Sequence, residues 1–144
     1  MKVLNLGCGF CNRSKGEVGI DSDQTCKPNI LWDLDKTPWP IDSGKFDKIV
    51  SIHVLEHLVN IVDVMNEAWR ILKPGGTFFI RVPEYPTLGA IADPTHKRFF
   101  IPQSFSYFTS EGKLTGLKHI FKLMNLRVVK LTKDTNEIQC QLQK

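Results

Sequence analysis

Side chains that can accept a proton or bind a metal ion are concentrated in two short stretches of this 144-residue sequence. The first contains His53, Glu56 and His57, which a helical turn would place on one face because they are spaced i, i+3 and i+4. The second contains Asp93 and His96. Imidazole is a typical general base, so we expect His96 to be the catalytic base, oriented by Asp93, with His53 as the second candidate.

The same residues could hold a metal ion. Together with His96, the first stretch offers four ligands of a kind suited to zinc or another divalent cation. Short motifs of this type also occur without metal. Whether His53, Glu56, His57 and His96 bind one is therefore left open by the sequence.

In the stretch Val3-Leu-Asn-Leu-Gly-Cys-Gly9, a short apolar strand runs directly into two glycines that are spaced one residue apart. Glycine lets the backbone turn sharply and lie against a ligand at the carboxyl end of a strand. Taken alone the pattern is weak evidence, because dinucleotide-binding folds share it. Two further segments end in an acid, Asp21 and Asp33. A carboxylate such as Asp21 can accept hydrogen bonds from both hydroxyls of a ribose.

Apolar patterning predicts the elements that position these residues. Asn60 can cap a helix over residues 60–72, which Lys73-Pro-Gly-Gly76 ends. A second helix is predicted over residues 114–124. Two last strands are joined by a hairpin loop at residues 133–136. The seven predicted strands are 3–6, 17–20, 30–33, 47–52, 77–82, 126–132 and 137–143.

In order and spacing these motifs resemble those of class I S-adenosylmethionine-dependent methyltransferases, from the first motif to the end of the chain. The resemblance implies an α/β fold with a Rossmann-like, mostly parallel seven-stranded sheet and an antiparallel last strand. It also implies S-adenosylmethionine as cofactor. The residues expected to bind it are Asn5, Gly7, Cys8 and Gly9 at the methionine part, Asp21 at the ribose, Asp33 and the Leu34 backbone at the adenine, and His53.

The departures from the family pattern concern its helices. Residues 7–16 and 21–29 are too few for a crossover helix, so the helices after strands 1 and 2 are expected to be reduced to loops. One sheet face would then be thinly covered. Either the segment 84–113 folds back over it, or a second copy or a partner subunit packs there. Alternatively, polar side chains such as Asn5, Ser51 and Arg81 face water there.

The methyl acceptor is expected to bind in residues 84–118, a pocket or lid segment within a single domain of residues 1–144. The expected substrate-binding residues are Tyr85, Asp93 and Arg98. An aromatic lining is expected from Phe99, Phe100, Phe105, Tyr107 and Phe108, at least half of which should simply pack against the sheet. The small domain favours a small-molecule, saccharide-like acceptor, methylated on oxygen or nitrogen.

Composition narrows the class of protein without identifying the acceptor. No apolar run reaches ~18 residues, so no membrane span or signal peptide is expected, and the protein should be cytoplasmic with free cysteines rather than a Cys8–Cys11 zinc or redox site. The net charge of +4 comes with scattered lysines, so nucleic acid is not excluded as a substrate. The alternatives are a nucleic-acid or protein methyltransferase working with a partner, a non-catalytic cofactor-binding scaffold and, less favoured, a nicotinamide oxidoreductase.

Overall fold

A computed structural model describes residues 1–10, 14–112 and 114–144. They form a sheet of seven strands in the order β3-β2-β1-β4-β5-β7-β6, in which β7 runs antiparallel to its neighbours β5 and β6 and the pairings among the first five strands are parallel. This confirms the predicted fold class. The strands are β1 Val3–Leu6, β2 Val18–Asp21, β3 Ile30–Leu31, β4 Phe46–Ile52, β5 Leu72–Pro83, β6 Lys122–Lys130 and β7 Asn136–Gln143.

Two α-helices accompany the sheet in the described residues, α1 Ile61–Ile71 and the single turn α2 Leu88–Ile91. The first confirms the predicted helix to within one residue at each end. Asn60 precedes it but makes no side-chain cap. The N–H groups of Val59 and Asn60 donate to the Asp35 carboxylate. None of the helices described is both long enough and apolar enough to cross a membrane.

The predicted helix over residues 114–124 is wrong. The backbone N–H of Phe121 donates to the Phe108 carbonyl at 2.9 Å, outside the main sheet. The strand β6 begins at Lys122 and pairs with β7 along its length. Gly116 has a φ of +86°, a conformation that a helix does not contain. From Lys122 onward, pairing with β7 supplies the hydrogen bonds that a helix would have formed, so tertiary context outweighs local pattern in that part.

The short connections after the first two strands are confirmed as loops. Among the described residues between β1 and β2 there is no helix, and only the 3-10 turn Gln24–Cys26 lies between β2 and β3. Cys11 lies outside the described residues, so its place in the glycine loop stays a prediction. Of the cysteines that the structure describes, Cys26 and Cys140 are free thiols.

The two faces of the sheet differ in burial. On the face that packs against α1, the aligned residues Leu6, Ser51, Ile80 and Cys140 are all fully buried. On the opposite face Phe79, Arg81, Gln139 and Gln141 are only half-buried. Of the three polar residues expected to face water on the thin face, only Arg81 lies there and is partly exposed. Ser51 belongs to the other face, and Asn5 is fully buried, with its amide donating to Glu17 Oε2 at 3.0 Å.

One buried ion pair ties the loop before β4 to α1. Glu67 Oε2 accepts the backbone N–H of Trp39 at 2.7 Å and the Arg70 guanidinium at 2.7 Å, and Arg70 also donates to the Ile41 carbonyl at 2.7 Å. Burial acts to raise the pKa of Glu67, but the hydrogen bonds from Arg70 and Trp39 outweigh it and hold that pKa below its ordinary value of 4.5. Ionised Glu67 therefore stabilises the folded state.

We predict that Glu67→Gln lowers the free energy of unfolding at neutral pH by about 1–3 kcal/mol, because it removes a buried charged acceptor. A lowered carboxyl pKa contributes stability above its unfolded value of 4.5 that is lost as pH falls through the folded value. The difference from wild type should therefore shrink well below pH 4.5. Urea unfolding at neutral pH and at a pH well below 4.5 measures this difference, and Asp63→Asn on the exposed face of α1 is the control. Equal losses at both pH values would contradict this account.

Candidate functional site

The carboxyl ends of the parallel strands meet around a cleft of about 230 Å³. Ligands of open α/β sheets bind at this edge. Five residues predicted to bind cofactor line it together: Gly7, Asp21, Asp33, Leu34 and His53. The remaining lining comes from Ser22, Trp32, Val54, His57 and Leu58.

Gly7 makes the sharp turn at the end of β1. Its φ is +56°, and a Cβ added there would lie 2.5 Å from Val54 Cγ2. The backbone N–H groups of Gly7 and Cys8 both donate to the Ile20 carbonyl, at 2.9 and 3.3 Å. Only glycine fits here, because both the backbone conformation and the approach of Val54 exclude a side chain.

Asp21 is held in place by backbone donors on both sides. Its Oδ2 accepts the N–H of Gly9 at 2.9 Å, and its Oδ1 accepts the N–H of Asp23 at 2.9 Å. A carboxylate oxygen has two lone pairs, so each can still accept a ligand hydroxyl. The geometry therefore pre-orients a two-oxygen acceptor at the mouth of the cleft.

Two residues predicted to contact cofactor lie behind this lining. Asn5 and Cys8 are both fully buried, and neither lines the cleft. Gly9 is also outside the lining, but its N–H fixes Asp21.

A second cleft, of about 340 Å³, adjoins the first and shares His53 and His57 with it. The predicted residues Asp93 and His96 line it, so the long segment after β5 reaches this edge as expected. Its other lining residues are Glu56, Pro83, Gly89, Leu131, Thr135 and Asn136. The two shared histidines thus form the boundary between two neighbouring cavities.

His53 stands directly after β4, with a left-handed φ of +54° that turns the chain towards the 3-10 turn Leu55–His57. Its Nδ1 lies 3.4 Å from Glu56 Oε1 and its Nε2 lies 3.4 Å from Glu137 Oε2. The Glu56 carboxylate, with help from Glu137, raises the pKa of His53 against the opposing effects of burial and of Arg81.

Glu137 is a site residue that the sequence does not reveal. It is the second residue of β7, in an ordinary strand pattern, and only the pairing of Glu137 with Pro83 brings it to this edge. Burial acts to raise its pKa, but hydrogen bonds from Arg81, at 2.7 Å, and from Gln139 lower that pKa overall. The carboxylate beside His53 is therefore kept ionised.

The other two histidines are fixed by hydrogen bonds through Nδ1. His96 Nδ1 donates to the Ala90 carbonyl at 2.7 Å, and its ring packs edge-on to His57 with centroids 4.8 Å apart. His57 Nδ1 lies 3.0 Å from Thr95 Oγ1, whose own proton goes to Asp93 Oδ1. Asp93 was expected to orient His96, but its Oδ2 is 3.7 Å from Nε2, and the Ala90 carbonyl fixes the ring instead.

Tyr85 and Arg98, predicted to bind substrate, lie outside both clefts. Arg98 donates to the carbonyls of Leu58, at 2.8 Å, and Val59, and lines a separate depression with Phe99. Tyr85 packs on Phe99 with ring centroids 5.4 Å apart. Of the predicted aromatic lining, Phe100, Phe105 and Phe108 are buried in the core.

Comparison with known proteins agrees with this architecture. Residues 10–80 match the methyltransferase domain family. A protein of Mycolicibacterium smegmatis, named a probable S-adenosylmethionine-dependent methyltransferase, is 24% identical over 67% of this chain and 45% of its own length. A ubiquinone biosynthesis O-methyltransferase of Bartonella tribocorum is 25% identical over 83% of this chain and 62% of its own. The chain thus spans less than two thirds of either relative.

Solved structures share the fold at low sequence identity. The complex of a methyltransferase with the Haloferax volcanii Trm112 methyltransferase activator aligns with a TM-score of 0.74 at 14% identity, over 99% of this chain and 81% of that one. A Burkholderia thailandensis 1,6-didemethyltoxoflavin-N1-methyltransferase was solved with bound 1,6-didemethyltoxoflavin and S-adenosylhomocysteine. It aligns with a TM-score of 0.67 at 14% identity, over 99% of this chain and 70% of that one. The motifs, the sheet topology and these comparisons together support a class I S-adenosylmethionine-dependent methyltransferase.

Proposed function

We propose that this chain transfers a methyl group from S-adenosylmethionine to an oxygen or nitrogen of a small polar molecule. The observation that carries the proposal is the pair of adjoining clefts that share His53 and His57. The first cleft would hold the cofactor, with the ribose at Asp21 and the adenine near Asp33 and Leu34. The second would hold the acceptor against residues from the segment 84–118.

The lining of the second cleft supports a small polar acceptor, of which a saccharide is one type. Asp93, Thr135 and Asn136 offer hydrogen-bonding groups beside the apolar Pro83 and Leu131. A cavity of about 340 Å³ lies in the size range of small-molecule sites. The Burkholderia neighbour binds a small-molecule substrate on the same fold, which is consistent with this class.

Methyl transfer requires mainly that the protein align the acceptor atom with the methyl group and exclude water from the site. A lone pair of the acceptor attacks the methyl carbon, and the carbon–sulfur bond breaks with its electron pair on sulfur. The positively charged sulfonium becomes the neutral thioether S-adenosylhomocysteine. The acceptor loses one proton, which an oxygen acceptor must give to a base.

His53 is the base that this arrangement favours, because it lines both clefts and is 40% exposed. The carboxylates of Glu56 and Glu137, each 3.4 Å from one of its ring nitrogens, would stabilise the imidazolium. His96 was the first candidate, and as a base it remains a prediction. Its side chain lines only the second cleft and is 6% exposed.

A partner subunit is the second part of this proposal. The Haloferax neighbour is in complex with a methyltransferase activator. In the present chain the sheet face that bears Phe79 and Gln141 is only partly covered, since both of these residues are half-buried. A partner or a second copy covering that face would make the active unit an oligomer, and a nucleic-acid or protein acceptor would then remain open.

Calorimetry with S-adenosylmethionine and S-adenosylhomocysteine tests the cofactor assignment. We expect micromolar binding that Asp21→Ala weakens about 10–100-fold, because two charged hydrogen bonds to the ribose are lost. Asp42→Ala, which removes an exposed carboxylate paired with Lys45 at 2.8 Å, should bind normally. Unchanged binding by Asp21→Ala would refute the ribose assignment. No binding by wild type would mean that a partner must complete the site or that the domain is a scaffold.

Gly7→Ala should abolish detectable cofactor binding for two reasons. The added methyl group must displace Val54 from the cleft wall, and the alanine backbone must adopt a φ of +56°. Gly44→Ala is the matched control. Its φ is +63°, but nothing lies within 4 Å of the added Cβ, so it should cost only about 1–2 kcal/mol of stability. Calorimetry and thermal unfolding separate the two effects. Equal binding by both variants would contradict a role for the close approach of Val54.

His53→Ala should lower turnover about 10²–10⁴-fold while leaving cofactor affinity within a few-fold of wild type, as expected for loss of a general base. Turnover is measured as S-adenosylhomocysteine released in a screen of polyols, phenols and amines. His119→Ala is the control, because the His119 ring lines neither cleft and stacks on Trp69 with ring centroids 3.8 Å apart. If His96→Ala loses turnover and His53→Ala does not, the base is His96.

A further inference from the structure

We infer that Cys8, Asp21 and Cys26 form a binding site for a thiophilic divalent cation such as Zn²⁺, beside the first cleft. The two sulfur atoms and one oxygen of the Asp21 carboxylate all lie within 4.8 Å of one another. Thiolates and carboxylates are donors that zinc uses in proteins, and three protein ligands leave a fourth position open.

The spacing of the two sulfur atoms suits one shared ion better than a disulfide. Zinc–sulfur bonds are about 2.3 Å long, so two sulfurs on one tetrahedral zinc stand about 3.8 Å apart. A disulfide would need them about 2.0 Å apart. Cys26 is a free thiol, and sulfurs that lie within 4.8 Å of each other reach the zinc spacing with small rotations of their side chains.

Local structure holds both cysteines in place before any ion binds. Cys8 lies in the glycine turn, where its backbone N–H donates to the Ile20 carbonyl at 3.3 Å. Cys26 ends a 3-10 turn, and its thiol donates to the Asp23 carbonyl at 3.0 Å. The Asp23 carboxylate caps the same turn by accepting the Thr25 N–H at 2.8 Å. The backbone around the ligands is therefore already ordered, and an ion has only side chains to fix.

The cluster is shielded from water except on the side of Asp21. Cys8 is 0% exposed and Cys26 is 7% exposed, whereas Asp21 is half-buried and lines the first cleft. An ion therefore enters from the cleft, past the carboxylate. Burial alone does not make such a site. Cys140 is also fully buried, but it belongs to no ligand cluster of the described residues, and burial raises the pKa of its thiol to about 12.

Binding exchanges protons for the ion. Each thiol S–H bond breaks and its electron pair forms a zinc–sulfur bond, so two protons pass to the buffer for each ion bound. Asp21 binds as a carboxylate and releases none. Cys26 then ceases to donate to the Asp23 carbonyl, which frees its sulfur to turn towards the ion.

The consequence for cofactor binding rests on the proposed function. Each oxygen of Asp21 already accepts one backbone N–H and keeps one lone pair for a ribose hydroxyl. An ion on one oxygen takes the lone pair on which one of the two ribose hydrogen bonds depends. The ion and S-adenosylmethionine should therefore weaken each other's binding by the same factor, about 10-fold for one charged hydrogen bond.

Ion binding is tested without any acceptor. Protein that has been reduced with a phosphine and freed of metal by a chelator is titrated with Co²⁺, followed by near-ultraviolet and visible absorption. It is also titrated with Zn²⁺ at neutral pH, by calorimetry in two buffers of different ionisation enthalpy. We expect one ion per chain with a sulfur-to-cobalt charge-transfer band, and two protons released for each zinc. An ion held by imidazoles and carboxylates alone gives no such band.

Cys26→Ser is the most informative variant, because serine can still donate to the Asp23 carbonyl. It should remove the charge-transfer band and weaken Co²⁺ binding at least ~100-fold, more than the loss of an outer contact costs. Cys8→Ser should have the same effect. Cys140→Ser changes a buried cysteine outside the cluster and should bind Co²⁺ as wild type does. Thermal unfolding of each variant reports on folding.

Calorimetry with S-adenosylhomocysteine tests the competition at Asp21. Wild type saturated with Zn²⁺ should bind it about 10-fold more weakly than metal-free wild type does. Cys26→Ser should bind it equally with and without Zn²⁺. Equal binding by wild type in both states would contradict the shared use of Asp21.

Two results would overturn the cation site itself. One is the absence of a stoichiometric ion from the reduced protein. The other is a charge-transfer band that survives Cys26→Ser but is lost in Cys11→Ser, which would assign the ion to the sequence pair Cys8 and Cys11. If metal-free wild type binds the ion with the expected band but does not bind S-adenosylhomocysteine, the cation site stands and the proposed function fails.

Discussion

The parallel register of β1 with its two neighbours is the constraint on which the site depends. Leu6 is paired with Ile20 on one side and with Ser51 on the other, so the residues that follow them in each strand come to the same edge. Gly7 turns beneath Val54 there, and Asp21 closes the turn by accepting the Gly9 N–H. A shift of one residue in either pairing would reverse the faces and separate these groups.

The charged groups around the second cleft depend on the antiparallel end of the sheet. The pairing of β7 with β5 places Glu137 beside His53, and Arg81 keeps that carboxylate ionised. The segment after β5 then returns His96 against His57. Residues far apart in sequence therefore come together around this cleft, where the Ala90 carbonyl orients His96 and Thr95 orients His57.

The sequence was informative wherever local pattern and tertiary contacts favour the same structure. Alternating and apolar strands, the amphipathic helix α1 and the glycine turn could all be predicted, and Asp21 followed from its place at a strand end. Most of β6 was also predicted, as a strand over residues 126–132, but its start at Lys122 was not, because residues 114–124 also fit a helix and only pairing with β7 decides between them. Glu137 was missed as a site residue because only the pairing of β7 with β5 brings it beside His53. The cytoplasmic location and the bounds of the acceptor segment remain predictions.

A shared fold leaves the acceptor undetermined, because this scaffold carries many activities and the specificity lies in its sites. We expect the methyl group to be transferred at the boundary formed by His53 and His57, and a crystal structure of the complex with S-adenosylhomocysteine tests this. In that complex the ribose hydroxyls should lie within hydrogen-bond distance of Asp21, and the sulfur atom should be directed at His53 and His57. A ribose away from Asp21, or a sulfur facing away from the second cleft, would contradict it.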